Sequence, residues 1–215
     1  MSERRKGQPY IWVTWLAKLL GGNQCLWSAW FKAHFKYEKF NEMAMDLVKW
    51  NRDHNRLMAQ RRKELEEDGW TVFTEEQNAF KLQGSTATVA GKPDIVAAKD
   101  GQILVVDGKT GRVKDSDVWQ VLFYLYAIPK SRPDLKGELV GEVQYANGET
   151  FAMTPNELDE KRMGDIVSLI KVIASDEPPK KVPSRDECKR CDIGFGDCPE
   201  RVGAQQEHAT AVGEW

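Results

Sequence analysis

The chain has 215 residues, 41 % of them hydrophobic and 30 % charged, and a formal net charge of −2. This length makes one large domain, or one domain with a small appendage, able to bury roughly 70 % of its unfolded surface. The near-balance of charge argues against a protein that holds nucleic acid by bulk positive charge alone, although acidic metal ligands would also pull the total down.

No apolar run reaches the ~18 residues that a bilayer span requires. The nearest attempt, residues 10–20, is too short and leads into polar, basic sequence. The basic start, Met-Ser-Glu-Arg-Arg-Lys-Gly, is followed by no small-residue cleavage site at signal-peptide spacing. A soluble cytoplasmic protein with no membrane partner is expected, and there clustered cysteines more often bind metal than form disulfides.

Residues 10–35 are rich in tryptophan and leucine and broken by Gly21-Gly22, which predicts two short helices with Cys25 at the start of the second. Residues 36–68 read as a long, charged helix carrying Met43, Leu47, Trp50, His54 and Leu57 at helical spacings, stopped by Gly69. The period then becomes two. Residues 71–77 and 79–82 read as strands, and 86–98 with 102–109 as a strand pair about Lys99-Asp100-Gly101. Residues 115–128 read as an amphipathic helix ending before Pro129, and 138–154 as two strands around Ala146-Asn147-Gly148. Thr154-Pro155-Asn156-Glu157 reads as a capping box opening a helix to about residue 174. Pro178, Pro179 and Pro183 form a stiff linker, and the tail is polar.

The expected fold class is α/β, a mixed central sheet flanked by helices. Residues 1–68 are expected as a helical cap and lead-in, 69–175 as the core, 176–202 as a cysteine segment packing with Cys25, and 203–215 as a flexible tail.

The chain holds four cysteines. Cys188, Cys191 and Cys198 are clustered, and a tetrahedral metal site needs a fourth ligand, for which Cys25 is the remaining candidate. Zinc usually draws two close pairs. One distant cysteine with a triplet suits an iron–sulfur centre better, and Pro199 directly after Cys198 echoes the Cys-Pro ending of many cluster-binding runs.

The chemistry centres on the stretch Ala-Gly-Lys-Pro-Asp-Ile-Val-Ala-Ala-Lys-Asp-Gly-Gln-Ile-Leu-Val-Val-Asp-Gly-Lys-Thr-Gly-Arg-Val. On a strand, Asp107 and Lys109 point to one face and Gly108 to the other. Asp94, on the partner segment of the hairpin, reaches the same face. Two carboxylates and an amine at a sheet edge suit phosphodiester hydrolysis. The carboxylates prefer hard cations such as Mg²⁺ or Mn²⁺, and the amine balances charge on the phosphate oxygens. Gln120 and Tyr124, four apart on the next helix, share a side and either touch a DNA backbone or hold the lysine.

Gly91-Lys92-Pro93-Asp94, then Asp107-Gly108-Lys109, then Gln120-x-x-x-Tyr124 resemble the PD-(D/E)XK nuclease superfamily in its RecB-like form. Asp107 stands where glutamate is common in that motif, and its shorter side chain needs a closer metal. The resemblance implies a restriction-endonuclease-like core and catalytic roles for Asp94, Asp107, Lys109, Gln120 and Tyr124. It also implies a metal site of His54, Asp94 and Asp107. Cys25 before the domain and Cys188, Cys191 and Cys198 after it resemble the iron–sulfur members: the CRISPR-associated exonuclease Cas-four and the nuclease domains of AddB and the eukaryotic replication helicase–nucleases. For these the resemblance implies a 4Fe–4S cluster and exonuclease action on single-stranded DNA or DNA ends. Protein partners in a CRISPR-adaptation or recombination complex are a further implication.

Plainer readings stand beside these. Residues 107–111 alone are a strand entering a turn. His54 is a lone histidine on a charged helix, and its rival His34 belongs with the aromatic cap; His208 lies in the tail. Glu75 and Glu76 either assist metal binding or form a solvated face. Arg61-Arg62-Lys63, Lys180-Lys181 and Lys189-Arg190 are surface charges or phosphate contacts. Against the nuclease stand two other functions: a non-catalytic DNA-binding or docking subunit, and a redox-sensing iron–sulfur protein.

Overall fold

The computed structural model describes residues 2–22, 25–40 and 44–203, with backbone alone for 44–47. Met43 and His208 lie outside the described residues, as does the side chain of Leu47.

Two facing segments, residues 71–83 and 88–99, form the frame, and each contributes a strand to two sheets. In a five-stranded sheet, β4 (Thr71–Thr74) pairs antiparallel with β7 (Ile95–Lys99), and β7 pairs antiparallel with β8 (Gln102–Lys109). Then come β9 (Glu138–Tyr145), parallel to β8, and β10 (Thr150–Met153), antiparallel to β9, giving the order β10-β9-β8-β7-β4. In a three-stranded sheet, β5 (Phe80–Gln83) pairs antiparallel with β6 (Thr88–Gly91), and β2 (Tyr10–Trp12) runs parallel to β6. A third, two-stranded pairing joins β1 (Glu3–Arg4) to β3 (Phe35–Lys36).

The strand expected over residues 86–98 is therefore two strands in two sheets, interrupted at Lys92-Pro93-Asp94. Proline has no N–H to give a ladder, so pairing fails there. The facing strand breaks at the same level, in a 3₁₀ turn over Glu75–Asn78 where residues 71–77 had read as continuous strand. Buried Asn78 ties the two breaks together. Its Nδ2 donates to the Phe73 carbonyl at 2.8 Å and the Pro93 carbonyl at 3.3 Å. The Glu75 N–H donates to the Asp94 carbonyl at 3.2 Å. The turn between β7 and β8 has positive φ at both Asp100 (47°) and Gly101 (77°), as a type I′ hairpin turn requires.

Helices cover both faces of the large sheet. On one lies α4 (Asp115–Ser131), the crossover between parallel β8 and β9. Its residues Val121, Leu122, Phe123, Leu125, Ala127 and Ile128 are all buried, so it is apolar around most of its girth rather than amphipathic. Pro129 lies inside α4, not beyond its end; in the last turn it disturbs only hydrogen bonds that the terminus is about to lose. On the other face lies α3 (Ala44–Glu67), whose Leu65 packs with Ile95, Ala97, Leu104 and Val106. The alternation is strict: Ile103 and Val105 join the α4 side, Leu104 and Val106 the α3 side.

The N-terminal segment belongs to this same core. Ile11 and Val13 are wholly buried, and α1 (Val13–Leu20) packs against α4. The sequence had read residues 10–12 as helix; they form β2 because parallel pairing to β6 takes their N–H and carbonyl groups. A Cβ added at Gly21 would lie 2.5 Å from the Ser116 backbone nitrogen, so the end of α1 meets the start of α4 backbone to backbone. Gly21→Ala is expected to lower stability by about 1–3 kcal/mol, read as a fall in urea midpoint at unchanged slope.

After β10, the Thr154 capping box opens only a 3₁₀ turn over Pro155–Glu157. A second cap follows, with Asp159 accepting from the Arg162 N–H at 2.8 Å, and starts α5 (Glu160–Ala174). The helix α2 (Leu26–His34) docks on α5. His34 donates from Nε2 to the Ile173 carbonyl at 3.0 Å and lies against Trp30, ring centroids 4.9 Å apart, as the plainer reading of that histidine had it. Burial holds the His34 pKa below 6.5. The unfolded chain then takes up a proton near pH 6.5 that the folded chain refuses, so this contribution is complete above that pH and is lost as pH falls through it. Wild type should lose more stability between pH 7.5 and 5.5 than His34→Gln does, measured by denaturant titration at both. Parallel losses would remove His34 as the cause.

Candidate active site

The site forms where β6 hands over to β7. Because β7 begins at Ile95, opposite Val106, Gly108 has a partner in β9 but no β7 residue beside it on the other edge. Asp94 takes that role: its Oδ2 accepts from the Gly108 N–H at 2.8 Å and also meets His54 Nε2, from α3, at 3.1 Å. Two glycines make this approach possible. A Cβ at Gly91 would stand 2.5 Å from Phe80 Cζ and 2.9 Å from Tyr124 Cε1, and one at Gly108 would stand 2.3 Å from Met58 Cε.

Period two puts Asp107 and Lys109 on the α4 side of β8, opposite Gly108 and Met58. There Gln120 Nε2 donates to Asp107 Oδ1 at 2.8 Å, and Lys109 Nζ donates to Gln120 Oε1 at 3.0 Å. Lys109 Nζ also stands 2.5 Å from Asp107 Oδ2 as an ion pair. Apart from this ion pair, Asp107 Oδ2 is buried without a hydrogen-bond donor. Tyr124 Oη lies 2.9 Å from Gln120 Nε2 and donates to the Lys92 carbonyl at 3.4 Å, which fixes the segment that carries Asp94.

Gln120 and Tyr124 are 8 % and 1 % exposed, so neither can lie along a DNA backbone. Of the two roles the sequence left open, the hydrogen bonds carry the second: the pair holds Lys109 and Asp107. What hid this is the burial of α4 on nearly every side.

Burial pushes the Asp107 carboxyl up to about 6, against the pull of the Lys109 ammonium and with a further push from the Asp94 charge. For Lys109, burial acts downward, but Asp107 more than reverses it and the amine is held above its ordinary value. Both partners shift upward because Asp107 is the more deeply buried, at 3 % side-chain exposure against 23 %. The hydrogen bond to Asp94 raises the His54 pKa against the opposing effect of burial.

Other candidates are placed elsewhere. Glu75 and Glu76 both pair with Lys92, at 3.2 and 2.9 Å, on the exposed side of the strand break. Arg61 turns inward to grip Glu142 with two hydrogen bonds of 2.9 and 3.0 Å, a buried ion pair that sequence reading missed. Arg62 pairs with Glu66 and Lys63 with Glu67 along the helix surface. Also missed was Asp117, which accepts from Tyr145 Oη at 2.8 Å and adds negative charge near Lys109.

The four cysteines lie on or near α2 and the segment after α5, without standing in a metal-holding group among the described residues. Cys25 caps that helix, and its N–H donates to Glu187 Oε1 at 3.4 Å. Cys188 ends the turn after Glu187 in α6 (Arg185–Lys189). Cys191 and Cys198 pack against Trp27, Trp30, Phe31 and Ile193. Buried Arg201 holds the loop by donating to the carbonyls of Cys191 at 2.7 Å and Ile193 at 2.9 Å. Burial raises the thiol pKa of Cys191 and Cys198.

Among the described residues no three His, Cys, Asp or Glu side chains stand in a ready-made metal-holding group. The donor chemistry nonetheless fits an ion at the carboxylate site, because Asp107 Oδ2 is buried with the Lys109 ammonium as its one close partner and the charges of Asp94 and His54 act on it. The cysteine region offers soft thiol donors, none in a disulfide, beside the carboxylates of Glu187 and Asp192.

A mixed sheet with two aspartates and a lysine where its strands part, backed by a glutamine–tyrosine helix, is a restriction-endonuclease-like core. The chain belongs to the PD-(D/E)XK nuclease superfamily, whose family model matches residues 22–194. Membership implies metal-dependent nuclease chemistry on nucleic acid. The crystal structure of SSO0001 shares the fold, with a TM-score of 0.53 and 18 % identity over 94 % of this chain and 91 % of that one. No curated protein matches the chain. Among the described residues no helix is long and apolar enough to cross a membrane.

Proposed function

We propose that the protein is a metal-dependent deoxyribonuclease that removes nucleotides from single-stranded DNA or from DNA ends, and that its four cysteines hold a structural 4Fe–4S cluster. The observation that carries the enzymatic reading is the convergence of Asp94, Asp107 and Lys109 at the strand break. Mg²⁺ or Mn²⁺, held by Asp94, Asp107 and His54, would polarise the scissile phosphate and acidify a bound water.

The chain's own groups divide the remaining work. Lys109 is kept protonated by Asp107, so it offers a fixed positive charge to the phosphate oxygens and is a poor base. Gln120 grips Lys109 and Asp107 at once and sets their separation. Tyr124 secures Gln120 and the Lys92 carbonyl, tying α4 to the Asp94 segment. For the cluster, the support is the four free thiols together with the contacts that bring residue 25 to 187 and the loop 191–201 to α2.

The test is degradation of end-labelled linear single strands, blunt duplex and covalently closed circular single strands, with Mn²⁺, Mg²⁺ or a chelator. Metal-dependent loss of linear strands with the circle spared is expected. Equal cutting of the circle would remove the exonuclease claim, and no cutting of any substrate would remove the enzyme.

A further inference from the structure

Among the described residues, one large aromatic ring at the edge of this site keeps about half its surface exposed. Trp50 lies one turn before His54 on α3, on the same face of the helix. Its ring stacks on the His54 imidazole, with centroids 5.0 Å apart and planes 20° apart. His54 in turn is bonded to Asp94 at 3.1 Å. Yet Trp50 remains 49 % exposed, whereas Trp27 and Trp30 are 7 % and 6 % exposed. Arg52 and Arg56 project from the opposite side of α3, with side chains 72 % and 80 % exposed, and share the Asp53 carboxylate at 3.4 and 3.7 Å.

Resting on the nuclease reading, we propose that Trp50 is a stacking platform for an unpaired base next to the scissile phosphate, and that it selects unpaired over duplex DNA. A base inside a duplex has both faces covered by its neighbours. Only a base in a single strand, or one freed at a frayed end, can turn a face to an aromatic ring, and such stacking accepts any base. The line Trp50–His54–Asp94 sets this platform directly beside the carboxylates. The selecting group is thus part of the site and not a remote surface.

The experiment uses full-length protein in chelator, where binding is read without cutting, and two fluorescent probes: a short oligothymidylate and an abasic strand of equal length. Trp50→Ala should weaken oligothymidylate binding by roughly 5- to 100-fold, leave the abasic strand unchanged, and be largely restored in Trp50→Phe. With Mn²⁺ present, Trp50→Ala should raise KM for single strands more than it lowers kcat and reduce the preference for single strands over duplex. Unchanged affinity for both probes overturns the proposal. So does an equal loss on both, which would mean that the substitution had only disturbed His54 or the phosphate contacts. A wild-type protein that cuts no DNA removes the nuclease reading, while the two-probe comparison still decides whether Trp50 stacks on a base.

Discussion

Asp107→Asn should lower the rate of single-strand degradation on the order of 10³-fold, with the fold intact. The substitution keeps the volume and leaves an oxygen to accept from Gln120 Nε2. It puts an NH₂ where Oδ2 now stands, the one buried acceptor of the site without a bonded donor. An amide there offers no charge to a divalent ion and points a donor at the Lys109 ammonium. The strand itself should survive, because β8 is held by its backbone ladders to β7 and β9 and by Ile103, Leu104, Val105 and Val106 on its two faces. Lys109→Ala should cost activity on a similar scale, since the phosphate loses its fixed positive charge, but it leaves both carboxylates. The two variants should therefore separate in a thermal melt. Mn²⁺ should raise the melting temperatures of wild type and Lys109→Ala alike, and should not raise that of Asp107→Asn. If both variants cut as fast as wild type, Asp107 and Lys109 are not the reaction centre.

What could be read from residues alone, and what could not, divides by how local the cause is. Asp107 and Lys109 on one face, with Gly108 opposite, follow from the two-residue period of a strand, and the Asp107–Lys109 and Gly108–Met58 contacts agree. The Asp100-Gly101 turn was legible for the same reason: its backbone is dictated by two adjacent residues. The breaks at 75–78 and 92–94 were not, because Thr71–Gln77 and Thr86–Ala98 each have strand-forming residues on both sides. Pro93 marks one interruption and the capping box Thr74-Glu75-Glu76-Gln77 the other, but strand-like neighbours masked both, and what locks them together is Asn78. The exposure assigned to Gln120 and Tyr124 failed because spacing along α4 cannot reveal which side meets the strands: Gln120 lies on Asp107 and Lys109, and Tyr124 on Phe80 and the Lys92 carbonyl. Likewise, residues 10–12 become a strand through pairing with β6, nearly eighty positions later.

Cysteine replacement tests a part of the molecule that is mechanically separate from the carboxylates. Cys191 and Cys198 pack with Trp27, Trp30, Phe31 and Ile193, a cluster apart from the two that enclose the large sheet. Freshly purified protein, kept anaerobic, should be brown with a broad shoulder near ~400 nm and should contain iron and acid-labile sulfide. Cys25→Ala and Cys198→Ala should each lose most of that absorbance. Each should also unfold at markedly lower temperature, because binding energy at such a site is folding energy when the unfolded chain has no preformed site. Cys25 stands at the head of α2 and Cys198 just before Arg201, so either change releases the same tie between α2 and residues 187–201 from opposite ends. The double variant should then be little worse than either single one, the non-additivity expected of partners in one unit. At low temperature, where the variants stay folded, Asp94, Asp107 and Lys109 keep their supports on α3, α4 and the large sheet, and cutting per folded molecule should persist. A colourless protein carrying one zinc and no iron would overturn the cluster while leaving the tie. Cysteine variants that keep both their iron and their melting temperature would overturn the tie as well.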